Sequence, residues 1–337
     1  MPAVGKLLRD RRRVLWCEYY PGLVLGVAAL LDYLIGDPWS WWHPVQGMGW
    51  VISRYTQLAF KWLKTPLALR WAGVGLGIGL ILGSGWVGWL TVAIAHSIHP
   101  LVGGAIASVL LASCFAGRSL RDAAEDVLRP LQGGNLAEAR SRLSRYVGRD
   151  TENLSEAEIL RAILETVTEN ATDGILAPLF YAIVGTAILG VEGVSLALAY
   201  KAASTLDSMV GYREAPYIDL GWFSARVDDG LTWLPCRLVV LTLSLLSGKP
   251  RYVWKLCLRD APKDPSPNSG WSECVYAATL GVQVGGTNWY RGIAKHKPLL
   301  GEPLHPITPK DVDRATRLTR YCCLIWLAGA IASYGLV

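Results

Sequence analysis

Apolar residues of this chain gather into runs long enough to cross a bilayer, with polar segments between them. A spanning helix needs roughly 20 mostly apolar residues. The longest run covers residues 71–117 and is interrupted near 96–100 by His, Ser and Pro, which predicts two spans joined by a tight turn. Other runs cover residues 175–200, 231–247 and 321–337, and a shorter one at 21–36 carries Asp32. The pattern predicts an all-α polytopic integral membrane protein with about four to six membrane helices, some of them short or re-entrant.

The polar segments carry helix signals of their own. Leu120, Ala124, Val127, Leu128 and Leu131 keep helical spacing, Gly133-Gly134 turns the chain, and Asn135 with Glu138 opens a second helix. Ser155 with Glu158 repeats the device and opens a helix that runs to about Asn170. Segment 118–170 holds eight Arg and segment 249–320 twelve Lys or Arg, which places both in the cytoplasm. The basic arm Lys6, Arg9, Arg11, Arg12 and Arg13 belongs on the same side, as a signal-like start that is retained. Two crossings by 71–117 then connect arm and insertion, so 21–36 dips in or lies at the interface. The expected organisation is one membrane-embedded domain over 1–337, with 118–170 a helical cytoplasmic insertion and 249–320 a cytoplasmic loop region.

Composition narrows the class. Hydrophobic residues make up 52% and charged ones 18%, which excludes a disordered chain. The net charge of 33 − 27 = +6 is secondary to the apolar runs, so the expected partner is the lipid bilayer and not nucleic acid. Seven Cys without a C-x-x-C pair read as small hydrophobes in a reducing compartment. The stretch Gly83-Ser84-Gly85-Trp86-Val87-Gly88 spells a dinucleotide fingerprint, but no strand precedes it, and it reads as helix packing.

A charge at mid-bilayer costs roughly 2.5–3.5 kcal/mol on insertion scales, so polar clusters beside apolar runs are the places to seek chemistry. The first is Gly36-Asp37-Pro38 with His43-Pro44, either a turn with an interfacial His or a ligand contact. In the second, spacing of four sets Glu165, Glu169 and Asp173 near one stripe if the helix continues, with Asn170 beside it. Such a stripe is either a solvated face or a place for a cation or cationic substrate between repelling carboxylates. The third joins Lys201, Thr205, Asp207, Ser208, Gly211, Tyr212 and Arg213, residue types that suit a phosphate. The fourth pairs Asp228-Asp229, read as a helix N-terminus ahead of 231–247, with the Pro-rich stretch 260–270. Asp260, Lys263, Ser266 and Asn268 make that rigid stretch a candidate ligand clamp. No G-x-x-x-x-G-K-[ST] occurs, so any ATP is held otherwise than by a P-loop.

Taken in order, six words of the chain resemble the adenosylcobinamide-phosphate synthase family, the cobalamin biosynthesis membrane proteins CobD or CbiB. They are Leu31-Asp32 to Gly36-Asp37-Pro38 with His43-Pro44-Val45; Val147-Gly148-Arg149-Asp150-Thr151; and Glu165 to Glu169-Asn170 with Asp173-Gly174. Tyr200-Lys201-Ala202 with Thr205 to Tyr212 follows, then Arg226 to Asp228-Asp229 with Trp233-Leu234-Pro235, then Asp260-Ala261-Pro262-Lys263 with Ser266-Pro267-Asn268. Each word alone is weak; their order over residues 30–295 is specific. Asp264 stands where many members carry His, and Thr232 where Asn is common.

The resemblance implies a ligase that joins adenosylcobyric acid to (R)-1-amino-2-propanol phosphate, or a related amino alcohol, through an amide bond, giving adenosylcobinamide phosphate. ATP and Mg²⁺ are the implied cofactors, with ATP converting the carboxylate into an acyl phosphate that the amine attacks. The implied place is the inner cell membrane, with the active site facing the cytoplasm. Mapped onto this chain, Asp228, Asp229 and Asp173 hold Mg²⁺, and Arg149, Lys201, Lys263 and Arg213 hold phosphates. Glu165 or Glu169 takes the proton of the incoming ammonium, with Asp173 and Asp207 as further catalytic carboxylates. Asp37, His43, Asn170, Thr205, Ser208, Tyr212, Asp260, Ser266 and Asn268 complete the substrate contacts. A homodimer and a corrinoid-assembly complex both stay open. The rival reading is a secondary transporter of a corrinoid or other anionic solute, built on Gly-rich, broken helices. A scaffold without chemistry is the third.

Overall fold

A computed structural model describes residues 20–36 and 43–334 of the protein. The basic arm and Asp37 lie outside the described residues. Helices α1 (Tyr20–Leu34), α2 (Pro44–Trp62), α3 (Pro66–Ile98) and α4 (Pro100–Ala112) open the chain. Then come α5 (Gly117–Gln132), α6 (Leu136–Leu143) and α7 (Glu156–Ala171). A π-helical turn, Thr172–Leu176, leads into α8 (Ala177–Leu189), and a 3₁₀ turn, Gly190–Gly193, into α9 (Val194–Val210). After α10 (Trp222–Leu246) and α11 (Pro250–Asp260) come α12 (Ser269–Leu280), the strands β1 (Gln283–Tyr290) and β2 (Ile293–Gly301), and α13 (Pro309–Tyr334).

Four helical stretches among the described residues are long and apolar enough to cross a membrane: Pro66–Ile98, Pro100–Gln132, Glu156–Val210 and Trp222–Leu246. The protein is an all-α polytopic membrane protein that carries one small antiparallel sheet. Apolar helix α1 is shorter than these, and residues 321–334 of the last apolar run form the second half of α13, whose first half is charged.

The expected turn inside 71–117 falls at one residue. His99 ends α3, and its Nδ1 accepts the Leu101 N–H at 3.2 Å to cap α4, while Pro100 at the first helical position needs no partner for a missing N–H. The predicted hairpin after 117 is also present: Asn135 accepts the Glu138 N–H at 3.1 Å, and Ser155 with Glu158 forms a reciprocal capping box.

The chain divides into two compact units. The first comprises Met1–Ala116, Pro178–Asp228 and Leu324–Val337. Its helices meet through small residues. Cβ atoms added at Gly85 or Gly88 of α3 would press on Ala199 and Leu198 of α9, so the glycine-rich stretch is helix packing; Gly83 faces open space. Ile52, Leu76, Leu206 and Val210 close a core where α2, α3 and α9 meet.

The second unit comprises Gly117–Ala177 and Asp229–Cys323, and so takes in both polar segments, 118–170 and 249–320. The latter is not a loop region: it contains α11, α12 and the β1–β2 hairpin. The Pro-rich stretch is the irregular link between α11 and α12, beginning with a 3₁₀ turn at Ala261–Lys263. The hairpin turns at Arg291 and Gly292, both with positive φ (51° and 78°), as a two-residue primed turn requires. Asp150 holds that turn by accepting the Arg291 and Gly292 N–H groups at 2.9 and 2.8 Å.

Candidate active site

The second unit buries charge. Glu165, on the inner face of α7, is 1% exposed. It pairs with Arg149 at 2.6 Å and Arg161 at 3.5 Å and accepts the Gly285 N–H at 2.8 Å. That N–H is available because the hairpin register shifts between Val284 and Gly286, opposite Pro298, which has no N–H for the ladder. Gly285 takes up the bulge with φ 93°, and its carbonyl accepts from Arg161, which also donates to the Thr287 carbonyl at 3.1 Å. Arg149 reaches across to Asn288 Oδ1 at 2.9 Å. Glu165 and Arg149 therefore bolt the hairpin to α7. Both side chains are engaged by partners within the protein.

One turn on, Glu169 is half-buried, and its charged neighbours are Lys297, Asp264, Glu165 and Arg149. Helix α12 brings in Glu273, wholly buried, with Oε1 paired to Lys297 of β2 and Oε2 buried without a hydrogen-bond partner. The neighbouring residues set this approach: Ser272 donates to the Thr168 carbonyl at 2.6 Å and bonds the Thr172 hydroxyl at 2.6 Å. The π-helical turn begins at Thr172, so the regular stripe through Glu165 and Glu169 does not continue to Asp173. Burial pushes the Glu273 carboxyl well above the usual range; Lys297 opposes this, and Glu169 and Glu165 add to it. Lys297, held by Glu273 and Glu169 against the cost of its own burial, keeps its proton more tightly than an ordinary lysine.

Near this cluster, Asp260 is the buried counter-ion of Arg259 (2.8 Å) and Lys263 (2.7 Å), and accepts the Gly301 N–H at 3.3 Å. Burial raises its pKa, but these partners prevail and hold it below the ordinary carboxylate range. Asp260 thus ties α11 to β2, while Lys263 remains half-exposed. Asp264 accepts from the Ser266 N–H at 2.8 Å and the Ser269 hydroxyl at 3.1 Å, and the Ser266 hydroxyl accepts the Asn268 and Ser269 N–H groups at 3.2 Å. The Pro-rich link is therefore folded on itself, and Asn268 is anchored to the Asp229 carbonyl at 2.9 Å. Thr232 is fully buried. Asn170 is exposed, its amide donating to the Thr166 carbonyl at 2.9 Å.

The other predicted residues fall in the first unit. Lys201, Thr205, Ser208 and Tyr212 follow helical spacing along one face of α9 and its end, with Asp207 on the same helix and Arg213 exposed just beyond. Thr205 donates to the Lys201 carbonyl at 2.7 Å, Ser208 to the Thr205 carbonyl at 3.0 Å, and Tyr212 to the Ser208 carbonyl at 3.0 Å. With their protons spent inside the helix, these hydroxyls present lone pairs, so Lys201 and Arg213 are the groups that suit a phosphate. His43 caps α2, accepting the Val45 N–H at 3.3 Å.

Asp228 and Asp229 are not at a helix N-terminus: α10 starts at Trp222, and both lie about two turns inside it. Successive helical residues point apart, so Asp228 and Asp229 do not face the same way along α10. Among the described residues no three His, Cys, Asp or Glu side chains form a group that could hold a metal ion.

The model of the CobD/Cbib protein family matches residues 25–319. The chain belongs to this family. Relatives within the CobD/Cbib group include the "Cobalamin biosynthesis protein CobD" of Synechocystis sp., 54% identical over 88% of this chain and 87% of that one. The "Cobalamin biosynthesis protein CbiB" of Salmonella typhimurium is 41% identical over 91% and 93%. No solved structure matches this CobD/Cbib chain.

Sequence reasoning missed Arg161, Glu273 and Lys297. Glu273 had left a signal, as the only charge in the apolar stretch 270–281. Lys297 had left none, since Lys295-His296-Lys297 reads as a solvated run.

Proposed function

We propose that the protein acts in cobalamin biosynthesis as the ligase that joins adenosylcobyric acid to (R)-1-amino-2-propanol phosphate, or a related amino alcohol, at the cytoplasmic face of the inner membrane. Family membership supports the pathway. The observation that carries the chemistry is the buried cluster around Glu169: two carboxylates, Glu169 and Glu273, share the single ammonium of Lys297. A site with that surplus of negative charge suits an incoming ammonium and can take its proton.

Glu169 is the proton acceptor, since it is half-buried and reachable, whereas Glu165 is committed to two arginines. Lys297 pairs with Glu273 and lies near enough to Glu169 for the two charges to attract. Lys263, at the half-exposed edge of the Pro-rich link, receives a phosphate, and Lys201 of α9 and the exposed Arg213 are separate further candidates. The hard carboxylate oxygens of Asp228 or Asp229 would hold Mg²⁺, which would supply positive charge to screen phosphates. ATP, with Mg²⁺ screening its phosphates, supplies the phosphoryl group that makes the propionate oxygen a leaving group.

The test is direct. Detergent-purified protein is incubated with adenosylcobyric acid, aminopropanol phosphate and MgATP, and the corrinoid is followed by chromatography and mass spectrometry. A mass gain matching the amide, lost without ATP or Mg²⁺, is the expected result. No product from a folded sample with either the phosphorylated or the free amino alcohol overturns the ligase reading.

A further inference from the structure

The floor of the carboxylate cluster holds an oxygen that nothing in the protein uses. Glu273 is wholly buried on α12, and Lys297 engages only its Oε1. Its Oε2 is buried and has no hydrogen-bond partner. An uncompensated carboxylate oxygen in a desolvated position is costly, and native proteins keep such groups where a ligand or a reaction needs them. The charge count points to the kind of ligand. Arg149 and Arg161 are taken up by Glu165 and by the hairpin backbone, which leaves Lys297 alone to face both Glu169 and Glu273. Asp264 adds a further negative charge near Glu169. Counted together, the four carboxylates Glu165, Glu169, Glu273 and Asp264 stand against the three cations Arg149, Arg161 and Lys297, one positive charge short.

Glu169 and Lys297 are each partly exposed, so the cluster meets the surface through them, whereas Glu273 is wholly buried. The bonds from Ser272 to Thr168 and Thr172 fix α12 against α7, so the spacing of the two acids is set by the fold and not by their own repulsion.

We infer that Glu273 and Glu169 form a subsite for a primary ammonium group, with Glu273 Oε2 receiving one of its N–H bonds and Lys297 as the positioning residue that holds Glu273 through its other oxygen. The inference rests on the ligase reading and specifies where the amine of the amino alcohol lands. The ammonium restores the missing charge on binding and leaves a proton with Glu169 as it becomes the nucleophile. A hydroxyl in place of the amine brings no charge and is bound more weakly.

The experiment uses the full-length protein in detergent. Steady-state kinetics of Glu273→Gln are expected to raise KM for aminopropanol phosphate by about tenfold or more, with KM for ATP and for adenosylcobyric acid unchanged. An unchanged amine KM in a folded Glu273→Gln protein overturns the subsite while leaving the ligase reading intact. If the single variant does not fold, the double variant Glu273→Met/Lys297→Met removes both charges at once, and the same rise in amine KM is expected. Calorimetry keeps the two readings separable. Wild-type protein should bind aminopropanol phosphate about tenfold more tightly than propanediol phosphate, its hydroxyl counterpart, whether or not turnover is seen. Equal affinity for the two contradicts the subsite.

Discussion

The two units of the protein bury polar groups in opposite ways. In the first, buried hydroxyls mostly serve the helix that carries them: Thr186 donates to the Ala182 carbonyl, Ser224 to Gly221 and Thr205 to Lys201. Large apolar side chains such as Trp50, Trp62, Trp71, Leu82 and Trp86 stand outward, as on a surface meant for lipid. In the second, buried carboxylates and hydroxyls bond across elements: Glu165 to β1, Asp260 to β2, Glu273 to Lys297, Ser272 to α7. Close contact of small residues suffices to assemble the first. The second depends on a few cross-element bonds that are expensive to leave half-made.

The comparison breaks first at Glu165. Replacing it by Gln strands two buried guanidinium groups and weakens the hold on the Gly285 N–H, for a loss of about 3–5 kcal/mol. Thermal unfolding in detergent and early proteolysis of the hairpin should both report it; wild-type behaviour would mean that the hairpin is held by other contacts. Asp260→Asn should cost less, about 1–3 kcal/mol, because Arg259 and Lys263 are half-exposed. Since folding lowers the Asp260 pKa, its contribution is complete above the ordinary carboxylate range and is lost as pH falls through its folded value. The gap between wild type and Asp260→Asn in an acid unfolding series should therefore narrow as pH drops.

In the first unit the sensitive positions are steric. A Cβ at Gly185 would collide with the Gly193 backbone, so Gly185→Ala should cost about 1–3 kcal/mol, read as a lower melting temperature, without touching any charged residue. Activity of the surviving folded fraction should be unchanged. The smallest effect is a gain. Arg291 sits at φ 51°, and Arg291→Gly should relieve about 1 kcal/mol of left-handed strain, seen as a small rise in melting temperature.

Much of the first unit was legible in the sequence, because lipid-facing helices leave long apolar runs and the His99-Pro100 break is punctuated by residue type alone. The hairpin was not. Gln283 to Tyr290 lacks an alternating pattern, its turn is Arg-Gly instead of Asn-Gly, and its stability comes from Asp150, Glu165 and Arg161, distant in sequence. The candidate site was legible in half: Glu165 and Glu169 announce themselves by helical spacing. Their partners Glu273 and Lys297 are more than a hundred residues away, and only the folded α12 and β2 bring them in. The stripe to Asp173 fails for a local reason, the π-helical turn at Thr172, which letter spacing does not reveal.

The most direct test of the central claim is single-turnover amide formation by Glu169→Gln, read as corrinoid mass against time beside the wild type. If Glu169 takes the amine's proton, the rate should fall by about 10²-fold or more while the protein melts as before. A Glu169→Gln protein that forms the amide at the wild-type rate would contradict the account and move the chemistry away from this cluster.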